Sequence, residues 1–456
     1  MTLRTRILKL HPAALVLGSF LLVIWIGTLL LKLPFSTNTG HISWIDALFT
    51  ATSAVCVTGL VVVDTGGFFS VFGQCVILVL IQIGGLGLMT ISVVLFQWIG
   101  RSISIRHRMA MQDLFSHTPR ADIFQMVKSI ILLTAGAEII GGMILTLHWS
   151  REMPLLQAAY TGMFHAVSAF CNAGFALFSD SMMRYSGDLL LNATVCGLIV
   201  IGGIGFPVFY DLQCWGKFRK RQRCRLSIQT KTVLLTTLLL IVSGASMFAF
   251  LEQLPLTEGQ STWHRILTPL FQSITCRTAG FNTVDIVSLK SATLAMMIFL
   301  MFFGASPGSC GGGVKTTTLA LLAVFTVSRL RRQRRVNLFK KSIPRETVTR
   351  SVSLVLVSTG IIGFVLFMIL VGNAVDAHPF NDGQGDFLKF LFETVSAFGT
   401  VGLSMGVTPA LSTWGKCWII AMMIIGRVGV LTFSYILVGT GSVNGIEHSE
   451  ENLMIG

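Results

Sequence analysis

Eight stretches of this chain run for a bilayer's width with little or no charge, and a polypeptide carrying that many cannot bury them all in a water-soluble core. They fall at about 13–31, 73–99, 129–149, 189–210, 232–251, 291–328, 351–375 and 415–440, and a membrane-spanning helix needs roughly 17–25 mostly apolar residues. Charged residues make up only 12% of the chain, and the mean hydropathy is +0.75. That composition excludes a soluble globular enzyme. The first stretch follows Arg4, Arg6 and Lys9 as a secretory signal would, but no small-residue cleavage site with a soluble remainder comes after it. It is read as a helix.

The 34 Lys and Arg outnumber the 20 Asp and Glu, for a net charge of +14. In a soluble protein this would point to nucleic acid; in a membrane protein it first sets topology. The basic residues gather at Arg4–Lys9, Arg101–Lys128, Lys217–Lys231 and Arg329–Arg350, four clusters that flank every second apolar stretch. The positive-inside rule makes those connectors cytoplasmic and, after eight crossings, puts both termini inside. The opposite connectors carry acids, among them Asp46, Asp64, Glu152, Asp188, Glu252, Asp285 and Glu393. Nucleic acid is excluded as a partner, and contact with anionic lipid headgroups is a secondary inference. The nine cysteines are odd in number with no CxxC spacing, so neither a disulfide framework nor a zinc site is expected.

On the acidic side a pattern repeats four times. A half-length segment after the first helix of each pair ends in a glycine-bearing string: Ser53 to Leu60 with Val55, Cys56, Val57, Thr58 and Gly59; Ser168 to Phe175 with Phe170, Cys171, Asn172, Ala173 and Gly174; Thr275 to Phe281 with Cys276, Arg277, Thr278, Ala279 and Gly280; and Ser396 to Leu403 with Phe398, Gly399, Thr400, Val401 and Gly402. The glycines recur at intervals of 115, 106 and 122 residues, and Phe49, Phe164, Phe271 and Phe392 each stand four residues before the leading Ser or Thr. A segment of this length is too short to span, and non-helical backbone at membrane depth persists only in protein or along a watery cavity. The strings should therefore converge on one axis. Each half-helix points its carboxyl end, worth roughly −0.5 elementary charge, toward the membrane centre, and string carbonyls can replace an ion's hydration shell. Selective passage of a dehydrated monovalent cation is the function this implies. A tight turn capping a packing helix would explain one copy, not four in register.

These strings resemble those of the Trk/Ktr/HKT superfamily of potassium transporters, over essentially the whole chain, and the eight-helix length is most similar to its KtrB group of membrane subunits. The resemblance implies an all-α membrane protein of eight transmembrane helices, arranged as four M1-P-M2 units around a pseudo-fourfold pore. The units are expected at 1–100, 101–216, 217–328 and 329–440, with a C-terminal tail at 441–456. It also implies K+ as the transported ion and a homodimer in the bacterial cytoplasmic membrane. A separate KtrA-like nucleotide-binding ring would supply regulation, because no cytoplasmic connector here is long enough to hold a nucleotide site. Whether Na+ is an activator or a coupled ion stays open. Each string has a single glycine at the shared position and lacks the Thr-Val-Gly-Tyr-Gly signature of potassium channels, so looser discrimination is expected.

The sixth apolar stretch is interrupted at 304–318, where Pro307 stands among the glycines Gly304, Gly308, Gly311, Gly312 and Gly313, all poor helix formers. A phosphate-binding P-loop fails because Val314 separates Gly313 from Lys315. The functional reading is a gate below the third string, with Gly304, Ser309, Gly311, Gly312, Gly313 and Lys315 as its residues; a static kink is the alternative. Arg427, within the last apolar stretch, must find oxygen partners, either lowering cation occupancy or clamping carbonyls. Arg277, Lys315 and Arg427 are expected along the ion path. Glu138 reads first as a structural helix contact, with a partner for a basic group or a place on a coupling-ion path as the alternatives, and His148 and His165 read as interfacial polar residues. The glycine runs at 84–87 and 202–205 suit close helix approach or bending. No cluster of His, Asp, Glu or Cys supports a membrane enzyme, and parallel repeats fit a pore better than a symporter built from inverted repeats.

Overall fold

The computed structural model describes residues 12–87, 123–218, 226–253, 263–333, 335–375 and 385–430. Four times the chain runs through a first helix, a shorter helix ending in a string, and a second helix. The first set is α1 (Pro12–Leu31), α2 (Trp44–Val55) and α3 (Val71–Leu86); the second is α4 (Ile123–Trp149), α5 (Leu155–Phe170) and α6 (Leu189–Ile204), continued by α7 (Phe206–Phe218). The third comprises α8 (Ile228–Glu252), α9 (His264–Thr275), α10 (Ser291–Phe302) and α11 (Thr316–Leu330), and the fourth α12 (Arg345–Val375), α13 (Gly385–Gly399) and α14 (Thr413–Val428). A small antiparallel hairpin pairs Asn337–Leu338 with Lys341–Ser342. Its two turn residues, Phe339 and Lys340, have φ of 48° and 63°, as a tight primed turn requires.

Local chemistry starts the second helices. Ser70, Asp188 and Ser412 accept from the backbone N–H of Gly73, Leu191 and Gly415 at 3.3, 2.8 and 3.3 Å, the bond that an N-cap supplies. Lys290 cannot cap α10, so Glu252 at the end of α8 does so from a distance: its Oε1 accepts from Lys290 N at 3.1 Å and Thr293 Oγ1 at 2.5 Å.

Packing is cyclic. Each short helix contacts the first helix of its own set, and each second helix contacts the short helix of the next set: α3 on α5, α6 on α9, α10 on α13, and α14 back on α2. Lys416 of α14 and Asp46 of α2 pair at 2.8 Å across that last seam. The four phenylalanines are all at most 1% exposed and anchor the short helices in the common core. Leu132, Leu147, Leu238 and Phe250 on the first helices stand exposed, a surface suited to lipid.

Among the described residues, three helices are by themselves long and apolar enough to span: Lys128–Trp149, Ile228–Glu252 and Arg345–Ala374. A fourth candidate is the pair Leu189–Ile204 and Phe206–Gln213, bent by 89°. The stretch 189–210, read as one crossing whose glycine run suits close approach or bending, bends at Gly205, whose φ of +98° ends a right-handed helix. The stretch 291–328 is broken into α10 and α11 by residues 303–315. Beyond Gly87 and Val430 the second and eighth expected stretches lie outside the described residues, as do Arg4, Arg6, Lys9, Arg334 and the 441–456 tail.

Candidate functional site

The four strings share one backbone solution. Two residues before each glycine stands a side-chain-bearing residue at positive φ: Val57 (56°), Asn172 (59°), Thr278 (82°) and Thr400 (49°). The glycines follow at 88°, 70°, 81° and 91° for Gly59, Gly174, Gly280 and Gly402. Such dihedrals cost L-residues roughly 1–2 kcal/mol each, so the surroundings must hold them. The leading hydroxyls do part of this. Ser53 and Ser396 Oγ accept from Gly59 N and Gly402 N, both at 3.1 Å, and Ser168 and Thr275 donate to Phe175 O at 2.7 Å and Phe281 O at 2.6 Å. The residue before each glycine also donates its N–H to the leading Ser or Thr carbonyl at 2.7 to 2.9 Å.

The glycines close a ring. A Cβ built on Gly59 would lie 2.4 Å from Ala173 O; on Gly174, 2.8 Å from Ala279 O; on Gly280, 2.5 Å from Val401 O; and on Gly402, 2.2 Å from Thr58 O. Each string thus abuts the next, and the fourth returns to the first. On one side of the ring is a cavity of about 280 Å³ lined by all four glycines together with Asp64, Asp285 and Ser404. Because the ring is made of glycine backbone, it offers no titratable side chain, only amide dipoles.

A second layer escaped the sequence reading. Three residues before the leading hydroxyl, His165, Gln272 and Glu393 reach past their own glycine to the outgoing chain. His165 Nε2 accepts from Leu177 N at 3.3 Å, Gln272 Nε2 donates to Thr283 Oγ1 at 3.2 Å, and Glu393 Oε1 accepts from Ser404 Oγ at 3.0 Å and from Thr408 Oγ1. In the first set Thr50 bonds back to Asp46 O within its own helix. His165, read as an interfacial residue, is fully buried, because its Nδ1 bonds to Thr161 O and its ring stacks on Phe178.

The loop between α10 and α11 lies on the side of the strings opposite the cavity. Gly312 N donates to Thr400 Oγ1 at 2.9 Å and Gly313 N to Gly426 O at 3.3 Å. Ser306 N and Cys310 N donate to Gly203 O and Gly202 O at 3.1 and 3.3 Å. Gly304 and Gly311 face Thr278 so closely that a Cβ on either would come within 2.8 and 2.2 Å of its side chain. Ser309 Oγ closes the loop on itself through Ser306 O at 2.6 Å. Lys315 Nζ donates to Gly311 O at 2.7 Å and Gly312 O at 3.4 Å, and Arg427 donates to Cys310 O and Gly84 O. Both cations therefore fasten the loop, Arg427 joining it to the end of α3. These carbonyl contacts of Arg427 are the ones the clamp reading describes.

Arg277, expected beside Lys315 and Arg427 on the ion path, is placed elsewhere. Its Nη2 donates to Thr237 Oγ1 of α8 at 3.3 Å, while the next residue, Thr278, faces the loop. The same register turns Cys171 toward the first helix of its set, where Sγ lies 3.9 Å from Glu138 Oε1. Glu138 is buried and accepts from Gln82 Nε2 at 3.2 Å, a helix contact as the sequence suggested. Among the described residues no group of three or more His, Cys, Asp and Glu is placed to hold a metal.

Residues 15–439 match the TrkH family, described as cation transport protein. The chain is 41% identical over 425 residues to Ktr system potassium uptake protein B of Vibrio alginolyticus, covering 93% of this chain and 90% of the relative. It is 38% identical over 435 residues to the protein of that name from Bacillus subtilis, covering 95% and 94%. The crystal structure of the potassium transporter TrkH from Vibrio parahaemolyticus superposes with a TM-score of 0.70 at 18% identity, covering 95% of this chain and 86% of the other. With matches of this extent in both sequence and fold, the chain belongs to the TrkH family of cation transport proteins, as a multi-pass helical membrane protein.

Proposed function

We propose that this chain is the membrane subunit of a potassium uptake system and conducts K+ along the axis encircled by Gly59, Gly174, Gly280 and Gly402. The observation that carries the reading is the cyclic contact of four equivalent glycines at one end of a cavity bearing Asp64 and Asp285. Four short helices deliver their carboxyl ends to that ring, each favouring a cation by roughly half an elementary charge. Carbonyls of Val55 to Gly59, Phe170 to Gly174, Thr275 to Gly280 and Phe398 to Gly402 substitute for water around the ion. The loop at 304–318 obstructs the path beneath, held by Lys315 and Arg427, and its release admits the ion to the cytoplasm.

In this reading the four helix sets are M1-P-M2 units with eight crossings and cytoplasmic termini, in a bacterial inner membrane. The chain works as a homodimer, one pore to each protomer. A cytoplasmic nucleotide-binding ring docks on basic connectors such as that of Arg331, Arg332, Arg334 and Arg335 and moves the loop. Sodium acts as activator or coupled ion. Potassium-limited growth of an uptake-deficient bacterium, with and without sodium and with a regulatory subunit supplied, tests the proposal. The intact chain should rescue growth and serine at any of the four glycines should impair it; no rescue by the intact chain overturns it.

A further inference from the structure

One peptide unit of the intramembrane loop grips the fourth string. The Gly311–Gly312 amide gives its N–H to Thr400 Oγ1 at 2.9 Å, and its carbonyl accepts from Lys315 Nζ at 2.7 Å. A cation on the carbonyl polarises the amide and strengthens its N–H as a donor. The approach demands glycine, since a Cβ on Gly312 would lie 2.6 Å from the same Thr400 oxygen. Gly311, on the other side of that amide, lies against Thr278 Oγ1, which is hydrogen-bonded to the side-chain amide of Asn172 at 3.1 Å.

Thr400, Thr278 and Asn172 are the left-handed residues of their strings, and all three are fully buried. Each stands directly before a carbonyl of the ring: Val401 O faces Gly280, Ala279 O faces Gly174 and Ala173 O faces Gly59. A left-handed L-residue relaxes unless it is held, and its movement carries the next carbonyl with it. The first string has no such handle, because Val57, before Thr58 O, has an apolar side chain with no hydrogen bond to offer. Resting on the proposed conduction through the glycine ring, we propose that the Gly311–Gly312 amide couples the loop's position to the ring's ion preference. Thr400 is the positioning residue. While the loop is in place, its hydroxyl is held and Val401 O stays against Gly280; when the loop leaves, the fourth string relaxes, and the preference for potassium over sodium falls as flux rises. Thr278 and Asn172 carry the same loop contact into the third and second strings.

Rubidium-tracer uptake into liposomes under sodium competition tests the coupling in the parent, in Thr400→Val, in the chain lacking Ser309 to Gly313, and in the two changes combined. Val57 already holds valine at a φ of 56° in the same register, so the backbone at 400 accepts that residue. Loss of one neutral hydrogen bond should lower the preference about threefold in Thr400→Val. The deletion should lower it at least as much, and the combination no further than the deletion alone, since residues in contact do not act additively. Thr400→Ser returns the hydroxyl and should recover most of the loss. Losses that multiply in the combined chain, or a deletion with the parent's preference, overturn the proposal. Where the deleted chain does not fold, Lys315→Met, which frees the Gly311 carbonyl, replaces it in the same cycle with the same deciding outcomes. A parent that carries no rubidium overturns the conduction reading and this proposal with it, whereas a conducting parent whose variants give multiplying losses overturns the coupling alone.

Discussion

Lys416 and Asp46 are 370 positions apart in the chain and 2.8 Å apart in space, and their pairing joins the last second helix to the first short helix. Both side chains are mostly buried, at 13% and 22% exposure, so they gain more from each other than an open surface pair would. Lys416→Met leaves Asp46 a poorly solvated acceptor, at a cost of about 1–3 kcal/mol. The detergent-solubilised variant should melt at a lower temperature, and a Lys416→Asp, Asp46→Lys exchange should recover part of the loss. An unchanged melting temperature for Lys416→Met would show that helix packing alone closes the ring.

The glycines of the ring should tolerate no side chain. Gly402→Ala places a methyl group 2.2 Å from Thr58 O at a φ of +91°, and Gly280→Ser meets Val401 O at 2.5 Å and +81°. Relief requires one string to move away from its neighbour, which widens the spacing of the proposed ion path. The preference for potassium over sodium should fall about tenfold in either variant, equal to about 1.4 kcal/mol. Competition uptake with rubidium tracer measures this; a preserved preference would remove these positions from the selective path.

The ring was readable in the chain because glycine and the phenylalanine anchor recur at matching places in all four copies. The layer behind it was not. Thr50, His165, Gln272 and Glu393 occupy one register position but share no chemistry, so residue identity could not reveal that three of them brace the outgoing chain. Hydropathy likewise treats 189–210 as one span, since it carries no information about the positive φ of Gly205. The direction taken by Arg277 depends on the left-handed residue that follows it, and the capping of α10 by Glu252 depends on packing between α8 and α10. Both are tertiary facts.

The bracing layer gives a prediction that separates support from selectivity. Gln272→Leu keeps the side chain's bulk and removes its bond to Thr283; a buried hydroxyl left without that partner costs about 1–3 kcal/mol. Glu393→Leu frees both Ser404 and Thr408. Each variant should lower the melting temperature and raise the potassium concentration needed for half-maximal uptake, with Glu393→Leu the more severe because it loses two partners. The reverse order would show that the carboxylate contributes little to holding the fourth string.

Arg427 is the most informative position for the loop, because one guanidinium holds carbonyls from two helix sets, Cys310 O in the loop and Gly84 O at the end of α3. A hydrogen bond from a charged donor contributes about 1.5–3 kcal/mol, and Arg427→Met removes both. Gly312 N to Thr400 and Lys315 to Gly311 and Gly312 remain, so the loop should loosen without leaving its place. Potassium flux through the chain reconstituted alone should then rise several-fold, and removal of Ser309 to Gly313 should raise it further. Arg427→Lys should fall between, since one ammonium cannot span both carbonyls as the planar fork does. Flux reduced in Arg427→Met and in the deletion alike would mean that the loop shapes the path, and that closing it is not its role.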